Sequence, residues 1–333
     1  MKSVAAYFDT SLNKVAFKDH ETQPEELGPH DLLVEVHGLS VNPVDYKVAS
    51  GVKGADAKVL GWDAAGVVKK IGTSVTTYKI GDEVFYAGSI KRAGNQSELH
   101  TVDERIVGRK PKSLSFEAAA ALPLTTITAY EAIFDRLNIP RDSKKSVLIL
   151  GGAGGVGSIA IQLLRELTST RVIATASRKE SSDWVRSLGA HLVIDHSQPL
   201  RAQLEKQSLP FVDYILCFND TDHYFPIMAD LIAPQGRIVS IVETSKPVDL
   251  DLLKSKSASF HWEFMFSRSA FQTSDMIEQQ NLLNEVSRLV DAGKIKTTQT
   301  IDLGALSVET LTKAHVLLRS HRTIGKITLK GLL

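Results

Sequence analysis

The chain has almost no cysteine, a single Cys217 in 333 residues. One thiol forms neither an intrachain disulfide nor a cysteine-rich zinc knuckle, so a reducing compartment is the default expectation and a structural metal cluster is not expected. An excess of charge is missing as well. Thirty-nine Lys+Arg against 38 Asp+Glu leave a formal charge of +1. That balance gives no global attraction toward nucleic acid or an anionic membrane, and it suits a small, mainly uncharged ligand. Long apolar runs are also lacking. The one long uncharged stretch, Ser146 to Leu164, holds five glycines that divide it into strand, turn and helix start. Near the N-terminus Asp9 breaks the short apolar run, so no secretion signal is expected and the cytoplasm is the expected location.

What is present is a change of pattern along the chain. A length of 333 residues corresponds to two domains of roughly 150 residues each. The first 125 residues carry short β-branched runs punctuated by Gly, Pro and Asp, such as Leu32–His37 and Gly66–Gly72, and read as β-rich. The middle alternates. Strands are predicted at Ser146–Leu150, Arg171–Ala176, Leu192–Ile194, Val212–Cys217 and Gly236–Val242, with helices over Ser158–Leu167, Ser182–Leu188 and Tyr224–Leu231. This βαβα order implies an α/β fold with a doubly wound parallel sheet. From about residue 262 the spacing predicts a helix over Asp275–Ala292, a strand at Gln299–Asp302, a helix over Val308–Ser320 and a last strand at Lys326–Leu329. The simplest arrangement inserts a Rossmann domain between two parts of a β-rich domain.

Between the first middle strand and its helix stands Gly152-Ala153-Gly154-Gly155-Val156-Gly157, a G-x-G-x-x-G in its proper strand–turn–helix setting. Gly152 is expected to make the tight turn, Gly154 to let the backbone approach a pyrophosphate, and Gly157 to let helix and strand pack closely. The helix N-terminus, from Gly155 and Val156 onward, offers unpaired N–H groups to phosphate. The next strand ends Ala176-Ser177-Arg178-Lys179. An NAD site usually has an acidic residue there for the ribose 2′-OH, whereas a hydroxyl and a guanidinium favour a 2′-phosphate. NADPH is therefore the expected cofactor, through Ser177 and Arg178. The alternative is that Arg178 and Lys179 only solvate a helix start.

Five segments in order resemble the zinc-independent quinone oxidoreductase branch of the medium-chain dehydrogenase/reductase superfamily. They are Val41-Asn42-Pro43-Val44-Asp45, Leu60-Gly61-Trp62-Asp63-Ala64-Ala65-Gly66-Val67-Val68, Ile80-Gly81-Asp82-Glu83-Val84, Ala121–Tyr130 and the Gly-rich turn. Phe260–Phe266 and Gly325-Lys326-Ile327 are similar to a bacterial subgroup labelled "zinc-type alcohol dehydrogenase-like". The resemblance implies a β-rich GroES-like catalytic domain over 1–125 and 262–333, a Rossmann NADP-binding domain over 126–261, and a homodimer. The positions that match the catalytic zinc ligands of the superfamily's alcohol dehydrogenases are Asn42, Trp62 and Leu124, so no metal is expected.

The same resemblance implies roles by position. Asn42 and Thr128 line the nicotinamide side, and Tyr46 is either a proton donor or a packed aromatic. Gly51-Val52-Lys53-Gly54 carries no tyrosine where some enoyl reductases have one. Asp63 matches an acidic position beside the metal and is read here as structural. His196 contacts the adenosine phosphate or starts a helix. Phe218, Val242, Phe264 and Phe266 wall the nicotinamide and substrate, or pack a core, and Lys326 lies near the cofactor or stands exposed. The expected activity is NADPH-dependent reduction of quinones or α,β-unsaturated carbonyls, with no nucleic-acid or membrane partner. Two other readings stay open, a zinc-dependent alcohol dehydrogenase and a non-catalytic NADPH-binding sensor.

Overall fold

The computed structural model describes residues 1–53 and 56–332. Gly54, the end of the Gly51–Gly54 stretch, lies outside the described residues. Contacts divide the chain into two compact units, Met1–Ile127 with Phe266–Leu333, and Thr128–Met265. These limits fall two and four residues beyond the expected boundaries after 125 and 261.

The first unit opens with β1 (Lys2–Asp9), β2 (Lys14–Glu21), β3 (Asp31–Val41), α1 (Pro43–Ser50), β4 (Lys58–Val59), β5 (Asp63–Ile71), β6 (Glu83–Tyr86), β7 (Leu99–Asp103), β8 (Val107–Arg109) and α2 (Phe116–Ala120). Helix α3 (Pro123–Tyr130) then runs into a π-helical turn, Glu131–Arg136. The second unit continues through β9 (Ser146–Leu150), α4 (Gly155–Leu167), β10 (Arg171–Thr175), α5 (Lys179–Ser187), β11 (Leu192–Ile194), α6 (Leu200–Glu205), β12 (Val212–Cys217), α7 (Thr221–Leu231), β13 (Ile232–Ser240), α8 (Asp251–Lys254) and β14 (Ser259–Trp262). The chain returns to the first unit with α9 (Ser267–Phe271), α10 (Glu278–Asp291), β15 (Gln299–Ala305), α11 (Val308–Arg319) and β16 (Lys326–Lys330).

In the first unit a seven-stranded sheet runs β15-β16-β3-β5-β6-β8, with β7 also on β3, beside a three-stranded sheet β2-β1-β4. Strand β3 organises it, pairing antiparallel with β5, β7 and β16. Its Leu32, Val34, Val36, Leu39 and Val41 enter a core with Val68, Val84, Ile327 and Leu329. Helix α2 lies directly on β3: a Cβ at Gly38 would stand 2.4 Å from the carbonyl carbon of Phe116, so only glycine fits.

The second unit is a six-stranded parallel sheet in the order β11-β10-β9-β12-β13-β14. All five residues of central β9 are buried, the reason Val-Leu-Ile-Leu reads as an unbroken apolar run. Together with the first unit this is the α/β architecture expected, a doubly wound Rossmann sheet inserted in a β-rich GroES-like domain. Three local differences have physical causes. Strand β13 begins at Ile232, not Gly236, because Gln235 takes a positive φ of 62° and the Pro-Gln-Gly sequence is absorbed as a bulge opposite β12. Helix α5 starts at Lys179 rather than Ser182, since the Arg178 N–H donates to the Ser181 hydroxyl at 3.2 Å and closes the first turn. Strand β14 had no periodic signal because it is a four-residue edge strand that, among the described residues, pairs with β13 alone. No helix among the described residues is long and apolar enough to cross a membrane.

Candidate active site

In a parallel sheet every strand ends on the same edge, and ligands bind there where the strand order reverses. Here the reversal lies between β9 and β12. The Gly-rich turn follows β9, Ser177 and Arg178 follow β10, His196 follows β11, Phe218 follows β12 and Val242 follows β13. The structure thus brings ten expected cofactor positions, from Gly152 round to Val242, onto one edge of the second unit. Phe218 is tied back by its N–H to the Leu150 carbonyl at 3.1 Å. The Val242 carbonyl accepts from the Thr221 hydroxyl at 2.5 Å. Ser177 and His196 are exposed and Arg178 is half-buried at the N-cap of α5. Lys179 is engaged in an exposed ion pair with Asp183 at 2.5 Å.

The glycines divide their work differently from the sequence expectation. The tight turn falls to Gly151, whose φ is 84°, rather than Gly152. Gly152 is needed for packing, because a Cβ there would stand 2.9 Å from the Ala174 Cβ. Gly157 is tighter still: its Cβ would stand 2.3 Å from the Gly151 carbonyl oxygen and 2.7 Å from the Gly152 Cα. Gly154, the N-cap of α4, meets nothing nearer than 3.6 Å. Its bare backbone leads into the first turn of α4, whose N–H groups precede the helical ladder. An open glycine beside an N-terminal helix turn fits the diphosphate of a dinucleotide.

A second constellation lies wholly within the first unit. Asn42, at the N-cap of α1, is 1% exposed, Asp63 at the start of β5 0%, and Lys326 at the start of β16 4%. The Lys326 ammonium donates to Asp63 Oδ2 at 2.9 Å, to the Val41 carbonyl at 3.0 Å and to Asn42 Oδ1. Asn42 Nδ2 donates to Asp63 Oδ2 at 2.8 Å, and the Leu124 N–H donates to Asp63 Oδ1 at 2.8 Å. Asp63 therefore anchors the first turn of α3 as well as the lysine. The placement of Lys326 overturns the reading of an exposed lysine. It is not exposed, and the three hydrogens of its ammonium are directed at three oxygens of its own unit. Asp45 closes the group by accepting from the Asn42 N–H at 2.9 Å. Burial pushes its carboxyl up to about 7, helped by the Asp63 charge and opposed by the Asn42 hydrogen bond and Lys326.

Tyr46, half-buried on α1, lies with its ring 5.3 Å from the Arg319 guanidinium of α11. Thr128 is buried on α3 and belongs to the second unit. Phe266 is buried edge-on to Trp62, with centroids 6.1 Å apart, whereas Phe264 is 46% exposed. A zinc ion does not suit the three positions that match metal ligands. The Asn42 amide is held by Lys326 and Asp63, the Trp62 indole N–H donates to the Ser89 carbonyl at 3.2 Å, and Leu124 offers only an isobutyl group. Among the described residues no group of three or more His, Cys, Asp or Glu could hold a metal ion.

One further cluster escaped the sequence reading. Glu131 on the π-helical turn and Glu263 just after β14 are buried together in the second unit, with Arg136 donating to Glu263 Oε2 at 2.8 Å and standing 3.9 Å from Glu131. Burial, then the Glu131 charge, push the Glu263 carboxyl well above the ordinary range, so the pair retains a proton at neutral pH. The 132-residue separation of the two carboxyls hides the pair, and only two charged residues set in apolar stretches pointed to it.

Comparison with known proteins agrees with this architecture. Residues 28–116 match the family "Alcohol dehydrogenase GroES-like domain" and residues 188–329 the family "Zinc-binding dehydrogenase". A "Zinc-type alcohol dehydrogenase-like protein" of Staphylococcus epidermidis is 42% identical over 304 residues, 90% of each chain. The 2-methylene-furan-3-one reductase of Solanum lycopersicum is 31% identical over 311 residues, 90% of this chain and 71% of the relative. Among solved structures, a putative zinc-dependent alcohol dehydrogenase protein from Rhizobium etli CFN 42 superimposes with a TM-score of 0.92 at 49% identity, covering 100% of this chain and 98% of that one. The quinone oxidoreductase of Pseudomonas syringae pv. Tomato DC3000 gives 0.82 at 26% identity, covering 99% and 100%. By these relationships the chain belongs to the medium-chain dehydrogenase/reductase superfamily, an oxidoreductase family, beside its zinc-type alcohol dehydrogenase-like members.

Proposed function

We propose that this protein is an NADPH-dependent reductase of quinones or α,β-unsaturated carbonyls that works without a catalytic metal. The observation that carries the reading is the donor set at Asn42, Trp62 and Leu124, which holds an amide, an indole and an alkyl group, with the amide bonded to Lys326 and Asp63. Lacking a Lewis acid, such a site must stabilise the alkoxide of a simple alcohol–aldehyde pair with dipoles alone, a deficit of several kcal/mol. A conjugated acceptor relaxes that demand, because the incoming electron pair spreads over an enolate or phenolate that a few hydrogen bonds can hold.

When bound, the dinucleotide supplies the hydride. The residues of this chain bind and orient it: Gly154, Gly155, Val156 and the α4 N-terminus take the diphosphate, Ser177 and Arg178 the ribose phosphate, with His196, Phe218 and Val242 along the same edge. Asn42 and Thr128 are the proposed hydrogen-bonding groups for the nicotinamide amide or the substrate oxygen. In this reading Lys326 acts through Asn42 rather than on the cofactor, and Tyr46 packs against Arg319. We also propose a homodimer through the outer edge of β14, which among the described residues pairs only with β13 and carries the 48% exposed Trp262.

The test is oxidation of NADPH and NADH by metal-stripped protein with 9,10-phenanthrenequinone and a short 2-alkenal, with and without zinc. Chelator-insensitive turnover that prefers NADPH is expected. Arg178→Ala should reduce that preference by about 10- to 100-fold, the worth of a charge-assisted hydrogen bond of about 1.5–3 kcal/mol. Activity that appears only with zinc would overturn the metal-free reading, and tight NADPH binding without turnover would favour a sensor.

A further inference from the structure

The proposed role of Asn42 depends on how its amide is turned, and the structure decides this by charge. The amide oxygen faces the Lys326 ammonium and the amide nitrogen donates to the Asp63 carboxylate at 2.8 Å. Turned over, the same amide would set N–H against ammonium and C=O against carboxylate, two repulsive pairs. A buried cation and a buried anion, 2.9 Å apart, thus admit one orientation. One Nδ2 hydrogen is used on Asp63. The other has only a long contact, 3.5 Å, to the Ser40 carbonyl. Among the neighbours described, that hydrogen is the strongest remaining donor of the group.

We propose that Lys326 is a positioning residue, the built-in cation that locks the Asn42 amide so that its second N–H meets the oxygen of the acceptor as negative charge develops there. The inference rests on the reading of Asn42 as a substrate-facing group. Asp63 shares the lock from the other end, and its third hydrogen bond, from the Leu124 N–H, ties the lock to the start of α3. The charged and titratable groups facing Asn42 are Lys326 from β16, Asp63 from β5 and Asp45 from its own helix; on α11, Arg319 faces Tyr46 instead.

The experiment compares Lys326→Met, Lys326→Arg, Asn42→Ala and the Lys326→Met/Asn42→Ala double variant with wild type. It reads kcat and KM for 9,10-phenanthrenequinone, NADPH affinity by fluorescence, and the Asn42 side-chain amide signal by ¹⁵N NMR. Lys326→Met should lower kcat at least tenfold while NADPH affinity stays within about threefold. The double variant should be no slower than the slower single one, because both remove one interaction. Lys326→Arg should recover part of the rate. If Lys326→Met leaves an unfolded protein, Lys326→Met/Asp63→Asn removes both charges together and is measured in its place, with the same expected loss of kcat.

Three kinetic and binding results would overturn the proposal. They are unchanged kcat in Lys326→Met, additive losses in the double variant, or a tenfold loss of NADPH affinity, which would make Lys326 a cofactor contact. The NMR readout separates the lock from the proposed reaction. In a protein that turns over neither quinone nor enone, slow exchange of the Asn42 amide that is lost in Lys326→Met and kept in Lys326→Arg still establishes the lock, and the reductase reading alone falls. Equal exchange in all variants removes the lock itself.

Discussion

Two glycines three residues apart make the most discriminating prediction, because the fold needs one and a ligand needs the other. Gly157→Ala places a Cβ 2.3 Å from the Gly151 carbonyl oxygen and 2.7 Å from the Gly152 Cα, all backbone atoms that no rotamer change can move aside. The turn or α4 must shift, an overpacking cost of about 1–3 kcal/mol. Gly154→Ala meets nothing nearer than 3.6 Å, and Gly154 has φ −72° and ψ 175°, which alanine adopts freely. Reduced freedom of the unfolded chain makes this substitution neutral to stabilising by about 0.4–1 kcal/mol. Its methyl group nevertheless occupies the face through which a diphosphate would reach the α4 N-terminus. Urea denaturation and NADPH titration should therefore separate the two variants. Gly154→Ala should keep its denaturation midpoint and lose at least tenfold in NADPH affinity, whereas Gly157→Ala should lose stability as well. A Gly154→Ala protein that binds NADPH within twofold of wild type would refute the assignment of this turn to the diphosphate.

Asp45 and the Glu131–Glu263 pair give pH-dependent tests. A carboxyl raised to about 7 from 3.8 binds its proton more tightly in the folded protein, so its contribution is complete at low pH and is lost as pH rises from about 4 to 7. Asp45→Asn removes that slope. Its stability relative to wild type should rise by about 1.4 kcal/mol per pH unit across this window and level off above it, and parallel urea midpoints at pH 4.5, 5.5, 6.5 and 7.5 would count against the buried acid. Glu263 titrates in the same sense, raised by burial and by Glu131, so wild-type stability should decline from the ordinary glutamate range toward alkaline pH. Glu263→Gln should flatten the alkaline part of that decline. Arg136→Met, which leaves two buried carboxyls without their guanidinium, should cost about 3–5 kcal/mol, and a loss below 1 kcal/mol in thermal or urea unfolding would show that the guanidinium is dispensable.

Much of the second unit was legible because its signals are local. A fully covered strand is a run of apolar residues, an amphipathic helix repeats every 3.6, and a phosphate turn needs glycine at set spacings; Ser146–Leu150, Leu192–Ile194 and Val212–Cys217 end where the pattern ends. Boundaries moved at the starts of α4 and α7, each three residues earlier than expected, and where backbone chemistry intervened, as at the Gln235 bulge and the Ser181 turn. Strand β14 was missed because its pairing is supplied by a neighbour and not by its own four residues. The exchange of duties between Gly151 and Gly152 could not be read, since φ and close approach are set by the path of the backbone through Ala174 and Asn219.

By itself, then, the sequence determined the alternating order of strands and helices, the site of the glycine turn and the absence of an acidic residue at the end of β10. Each is a property of residue type and spacing, carried by a few neighbouring residues. Only the tertiary structure decided that Lys326 is a buried partner of Asp63 and Asn42, that burial raises the Asp45 carboxyl, and that burial beside Glu131 raises the Glu263 carboxyl. These depend on strands and turns that meet from positions up to 284 residues apart. Ionic state and hydrogen-bond demand are set by what surrounds a group once water is gone, and that surrounding exists only after the chain has folded.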